Sequence, residues 1–480
     1  MSVTPIVAEP ALRHVLSRFS YGVTPALVAD AREHGGSAQW FEAQLAPESV
    51  PDSEATAVRS WFGYLDAPPD QLVAATASGS SSPYEATADL ARWTILRRTY
   101  SRRQLFETMV EFWSNLLHIP LLDASAWPFR QGYDALIRQH ALGRFDEMLP
   151  ATTLHPAMGL YLDNALSTKE AINENLGREL LELHTVGVGT GYTEEEVLDS
   201  ARILSGWRVD RMDSFASYHS AAHHWTGPVS VLDFREANAS ADGRGITARY
   251  LSYLAHHPRT ARRIATRLCV RFVADQPSEA IVDVVADAYL SSGTDIKATL
   301  RALHSHPDFT GSASGKIRTP AEDAIACYRA LGARAWRPKT AADFGRAVTS
   351  QLQLLGVMPF GWNSPAGFPD VGAAWSSVGR MLGSLYLHQA LANRWKEPYG
   401  VVYPPLADQL PVLPASLDVI VDHVSRQVLQ LPATPQLQRA VLQVVDMPAG
   451  QEVRTAAEFG ESRMTQLLAT MLNSPAHMRR

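Results

Sequence analysis

The stretch NENLGRELLELHTVGVGTGYTEEEVLDSARILSGW, Asn173 to Trp207, sets three carboxylates, an arginine and a histidine along a segment of helical periodicity. It then closes with glycines and begins a second periodic run. Thr193 with Glu196, and Ser167 with Glu170 upstream, match the pattern in which a hydroxyl and a carboxylate satisfy the first free N–H groups of a helix. The spacing therefore predicts helices over Ser167–His184 and Thr193–Trp207. GVGTGY (187–192) follows a helix, not a strand, so its glycines read as a helix stop and turn, not as a dinucleotide loop. Glu174, Arg178 and Glu182 fall at i, i+4 and i+8, a row in which the arginine can pair with both acids. Glu179 and His184 lie off that row and are the better candidates for chemistry. A di-iron Glu-x-x-His pair is not formed, because Leu181 stands three residues before His184.

Outward from this stretch the same periodicity persists. Leu105, Met109, Phe112 and Leu116 form an apolar stripe, and Glu107, Glu111, Ser114 and His118 occupy the opposite face. Further helices are expected at Ile246–His256, Pro258–Val273, Pro320–Leu331, Ala341–Leu355 and Gly372–Ala392, among others. The pairs His155-Pro156, His257-Pro258 and His306-Pro307 mark helix starts, since proline suits the first helical position. Residues 65–87, rich in Pro, Ser, Gly and Ala, read as a flexible excursion. Residues 208–245 have no clear period and read as a lid loop. The expected architecture is all-α: one multi-helix domain over 1–480, with the irregular loop covering a central pocket. The helix Glu111–His118 and the helix Asn173–His184 would wall that pocket.

Composition narrows the function classes. The chain has 480 residues, 46% hydrophobic and 19% charged, with a formal net charge of −6 and no basic block. That argues against nucleic acid or an anionic membrane surface as a partner. No uninterrupted apolar run approaches the ~18 residues of a membrane span, and the opening residues lack a signal-peptide pattern, so a cytoplasmic location is expected. The two cysteines, Cys269 and Cys327, sit in apolar helical contexts and read as buried free thiols. Without a Cys-x-x-Cys pair, a thiolate zinc site is disfavoured. Histidines are plentiful instead, and neutral imidazole is the commonest metal ligand.

The Asn173–Trp207 stretch closely resembles the signature of a bacterial family named domain of unknown function 1800. ALRHVLSRFSYGVTP (11–25), EFWSNLLH (111–118), RQHALGRFDEMLPATTLHPAMGLYLDN (138–164), LAHHPRTARRIATRLCVRFVADQP (254–277), GFPDVGAAWSSVGRM (367–381) and the closing MLNSPAHMRR resemble it in the same order. The resemblance implies a mainly helical protein. It also implies a possible sulfatase-like partner, because the family often occurs beside domain of unknown function 1501. Two departures stand out. Where the family typically reads Trp-His-Asn-His-Phe, this chain has Trp113-Ser114-Asn115-Leu116-Leu117. Where the family tends to read His-Asp-x-Gly-x-Lys, it has His224-Trp225-Thr226-Gly227-Pro228-Val229.

Taken together, these features lead us to expect a metal-dependent enzyme, an oxidoreductase before a hydrolase. The expected ligands are His118, His155, His184 and, from the lid, His224. Glu179 and Glu182 would orient an imidazole or act as general base, with Arg178 positioning the carboxylates. Iron or copper is favoured, zinc possible, and the substrate would be a small molecule or a peptide. The alternative is a non-catalytic helical partner or maturation subunit for the sulfatase-like protein.

Overall fold

In the computed structural model the described residues are 7–336, 343, 349–394 and 400–480. They are mostly helical, and the strands among them form only two-stranded antiparallel pairs. Among them no helix is long and apolar enough to cross a membrane. Of the helix expected at Ala341–Leu355, residues 341–342 and 344–348 lie outside the described residues, and Ser350–Leu354 is helical.

Buried apolar side chains gather in two clusters. One joins Leu16, Phe19 and Trp40 to Trp113, Leu180, Leu268 and Phe272. The other joins Trp93 and Leu96 to Ile325, Leu391, Val421 and Leu467. The helix Gln104–Leu116 lends its apolar stripe to the first cluster, where Leu105, Met109 and Trp113 are fully buried.

The signature stretch folds differently from its expected outline at one end. The helix begins at Asn175, not Ser167, because Thr168 and Ala171 pair as a β-bridge and Ser167 Oγ accepts from the Asn173 N–H. After Glu179 it widens into a π-turn, Leu180–His184. The second helix, Glu194–Leu204, carries the expected reciprocal cap between Thr193 and Glu196.

The two helices approach closely at Gly177. A Cβ there would lie 2.7 Å from the Ala201 backbone nitrogen, and Ser200 Oγ donates to the Gly177 carbonyl at 3.1 Å. Backbone cannot yield as a side-chain tip can, so Gly177→Ala is expected to destabilise the fold by about 1–3 kcal/mol. In an ordinary helix interior the same change stabilises, by roughly 1 kcal/mol. Urea unfolding decides the sign, and a gain in stability would remove this contact from the account.

Residues 65–87 hold the helix Pro69–Ala77 and the start of Pro83–Tyr100, the latter capped reciprocally by Ser82 and Glu85. Residues 208–245 carry two hairpins, Trp207–Val209 with Ser217–His219 and Val229–Val231 with Phe234–Glu236. The three His-Pro pairs are helix starts. In each, the imidazole Nδ1 accepts a backbone N–H two residues on, from Ala157, Arg259 and Asp308 respectively.

Candidate metal centre

The charged row of the signature is a brace near the surface. Arg178 reaches Glu174 Oε2 at 3.2 Å, Glu182 Oε1 at 3.5 Å and Glu194 Oε2 at 2.6 Å, so it ties its own helix to the start of the next. Glu179 is half-buried, and burial, then the neighbouring Glu182, push its carboxyl above the usual range.

The four histidines singled out from the sequence sit in four different surroundings. His118 turns Nε2 to the Trp362 carbonyl at 2.6 Å, and burial pulls its pKa down to about 4. His155 caps the helix Pro156–Tyr161. His184 is fully buried in the π-turn with neither ring nitrogen hydrogen-bonded. Burial and then Arg263 depress it to about 3. His224 is held at both nitrogens, by the Ser205 carbonyl at 2.8 Å and Asn238 Oδ1 at 3.0 Å.

A cavity of about 20 Å³ does lie against Glu111, Ser114 and His118. Its other walls come from Arg98, from residues 319–321 and from 357–375, and not from the signature helix or residues 208–245. Asn115 closes one side like a backbone strand: its side-chain oxygen accepts from Phe368 N–H at 2.7 Å, and its NH2 donates to Phe368 O at 2.9 Å. Gly367, at φ +70°, lies so close to Asn115 that no side chain fits there.

Among the described residues, one group of three or more metal-ligating side chains lies within coordination reach, and it contains none of those four histidines. It is Asp323, Cys327, His388 and His477, all buried, with the four donor atoms within 4.8 Å of one another. Asp323 and Cys327 stand one turn apart on the helix Pro320–Ala330. Thr319 caps that helix and Glu322 returns the cap. His388 comes from the helix Val378–Ala392, and His477 from the short helix Pro475–Met478.

The donors point at one another. Cys327 Sγ is 3.2 Å from His477 Nε2. Asp323 Oδ1 is 3.1 Å from His388 Nε2 and 3.7 Å from His477 Nε2. Ligands about 2.0–2.3 Å from a tetrahedral zinc sit about 3.3–3.8 Å from each other, and the three separations above lie close to that range, with no pair beyond 4.8 Å. The outer contacts suit that role. His388 Nδ1 meets Asn473 Oδ1 at 2.8 Å, which directs Nε2 inward. The second Asp323 oxygen takes Ser384 Oγ at 2.7 Å and Arg380 at 3.2 Å.

The electrostatics of the four side chains follow the same geometry. Burial raises the Asp323 carboxyl, but His388, Arg380 and His477 outweigh it and hold it well below the carboxylate range. Burial lowers His388, while Cys327 and Asp323 drive it well above its ordinary value. His477, buried and beside that charge, is depressed. Burial pushes the Cys327 thiol up.

A Cys-His-Asp triad would use the two nitrogens of one ring for different partners. Here Cys327 and Asp323 face the same nitrogen of His477. Such convergence on one atom is compatible with coordination of a metal ion.

The model of a family described as a protein of unknown function, DUF1800, matches residues 14–479. The chain belongs to that family. Neither the curated proteins nor the solved structures contain a match. The family assignment therefore confirms the resemblance and adds no activity, and the donor group has to be read from its chemistry.

The sequence singled out none of the four as a ligand, and of them only Cys327 was read at all, as the buried free thiol that it is. The absence of a Cys-x-x-Cys pair weighs only against sites with two neighbouring thiolates, and this group draws a single thiol. The local signal present was the Asp323–Cys327 spacing of four on a helix, which places both side chains on one face. The histidines join from 65 and 150 residues away.

Proposed function

We propose that this protein is a metalloprotein in which Asp323, Cys327, His388 and His477 hold one zinc-class divalent ion as a structural brace. The observation that carries the reading is the aim of Cys327 Sγ and Asp323 Oδ1 at the same Nε2 of His477. One thiolate, two imidazoles and one carboxylate form a borderline-soft, four-coordinate set that suits zinc. All four donors are buried, and the neighbouring cavity beside His477 measures about 20 Å³, room for a water and not for a substrate. A closed set of four protein ligands belongs to structural ions, whereas catalytic zinc keeps a position open. This favours a metal-braced helical partner protein over a metal-dependent oxidoreductase working at this centre.

Elemental mass spectrometry on untagged protein tests the proposal. Wild type is expected to carry close to one zinc per chain, and His477→Ala and Cys327→Ser to lose most of it. His184→Ala is expected to keep it. Metal-free wild type after purification with zinc present, or full retention in His477→Ala, would reject the site. Copper or iron in place of zinc would return the reading to redox chemistry.

A further inference from the structure

We infer that the metal centre is a latch for the segment Pro475–Arg480, and through it for the buried charge cluster beside the Glu111 cavity. The inference rests on the ion-binding reading above.

The segment has little of its own to hold it in place. Its helix is four residues long, and only His477 of that helix is buried. A turn this short is not stable by itself in water. Apart from Ala476, which packs partly buried against the second apolar cluster, its remaining attachments are polar. Lys316 N–H donates to Arg480 O at 3.3 Å, Arg480 N–H to Lys316 O at 2.9 Å, and Arg318 N–H to Met478 O at 3.0 Å, a short antiparallel ladder. Arg318 Nε also donates to the His477 carbonyl at 2.8 Å. Each such bond exchanges with water on release, so its net contribution is about 1 kcal/mol. A coordinated imidazole is a far stronger tether.

Three residues past that tether, Arg480 is driven into the interior. It is fully buried, pairs with Glu322 Oε1 at 3.2 Å and donates to the Arg271 and Arg18 carbonyls. Glu322 is next in sequence to the ligand Asp323, so ion and charge cluster share one helix. From Glu322 the cluster continues through Arg271 to Glu111, which lines the cavity. Loss of the ion removes that tether, and the ladder, the contacts of Arg480 and the weaker hydrogen bond between His477 and Cys327 must then hold the segment. Lifting the segment uncovers residues 316–318, Glu322 and Arg271, and gives the cavity side of the cluster a route to solvent.

Hydrogen–deuterium exchange on the full chain, with zinc and after chelation, tests the latch, with metal content measured on the same samples. Chelation is expected to speed exchange about tenfold or more in peptides covering 316–318 and 475–480, with the helix Glu194–Leu204 unchanged and zinc restoring protection. In zinc-loaded Arg480→Ala, bound zinc is expected to stay near one per chain while exchange around Glu111 and Arg271 rises. If zinc binds and leaves without changing 316–318, the latch is wrong and the metal site stands. Exchange that rises uniformly over the chain also overturns the latch, since the ion would then hold the whole fold. If no zinc is found in any sample, the metal reading itself has failed.

Discussion

Arg271→Met is expected to destabilise the fold by about 3–5 kcal/mol, the range for removing one partner of a buried ion pair. Arg271 is 1% exposed. Its guanidinium lies 2.7 Å from Glu111 Oε2, 3.0 Å from Glu322 Oε1 and 3.5 Å from Asp370 Oδ1. Methionine fills similar volume, so packing changes little and the loss comes from three carboxylates deprived of a shared cation. Glu111 keeps Arg98 at 2.5 Å and Glu322 keeps Arg480, which limits the damage to the lower part of what isolated buried charges would suffer.

The pH dependence has a definite sign. In wild type, burial raises the Glu322 carboxyl but Arg271 and Arg480 bring it down to about 2. Its pairing therefore stabilises above the unfolded carboxylate pKa, and the contribution fades as pH falls from about 4.3 towards 2. In the variant the same carboxyl is less depressed and loses less on protonation. The gap between the two proteins should narrow on acidification. Urea unfolding at pH 7 and pH 3 measures both effects. A gap below about 1 kcal/mol at pH 7 would mean that Arg480 and Arg98 suffice, as exposed pairs are worth no more than that. Adding Glu111→Gln should recover part of the loss, because it removes one of the stranded charges; a further drop would point to packing instead.

What the sequence disclosed was what is local in the chain. The brace of Glu174, Arg178 and Glu182 and the cap of Thr193 with Glu196 involve partners three or four residues apart, and helical geometry alone brings them together. The His-Pro starts are equally local, each imidazole serving an N–H two residues ahead. The mainly helical fold follows from the same periodicity.

The π-turn at Leu180–His184 was not legible, because a widened turn keeps the composition of an ordinary one. Nor was the place of His118. The helix expected to carry it ends at Leu116, so His118 lies just beyond it; Glu111 does share the cavity wall, but the ring partner of His118, the Trp362 carbonyl, is 244 residues on. The donor group illustrates the limit most sharply. Asp323 and Cys327 share a helix, yet nothing in that helix names the two histidines that complete the set. Only tertiary packing of Val378–Ala392 and Pro475–Met478 against it supplies them.

Chelation has the other large expected effect. An ion that binds the folded chain and not the unfolded one stabilises it by RT ln(1 + [L]/Kd). That is about 1.4 kcal/mol for each tenfold rise in free zinc above Kd, and about 4 kcal/mol at a thousandfold excess. The unfolding midpoint should climb steadily with buffered free zinc. Its slope reports ions bound per chain, and one is expected. His388→Ala should abolish the slope, since it removes one of the four donors and leaves Asp323 leaning on Arg380 and Ser384. Arg178→Ala breaks a partly exposed brace remote from the donors, so it should lower the midpoint by a small constant amount, about 0–1 kcal/mol, without changing the slope. This contrast separates coordination from general stabilisation, because a variant that merely weakens the fold shifts the line in parallel. A wild-type midpoint indifferent to zinc across the whole range would leave Asp323, Cys327, His388 and His477 as a hydrogen-bonded polar core. The latch on Pro475–Arg480 would then have nothing to close it.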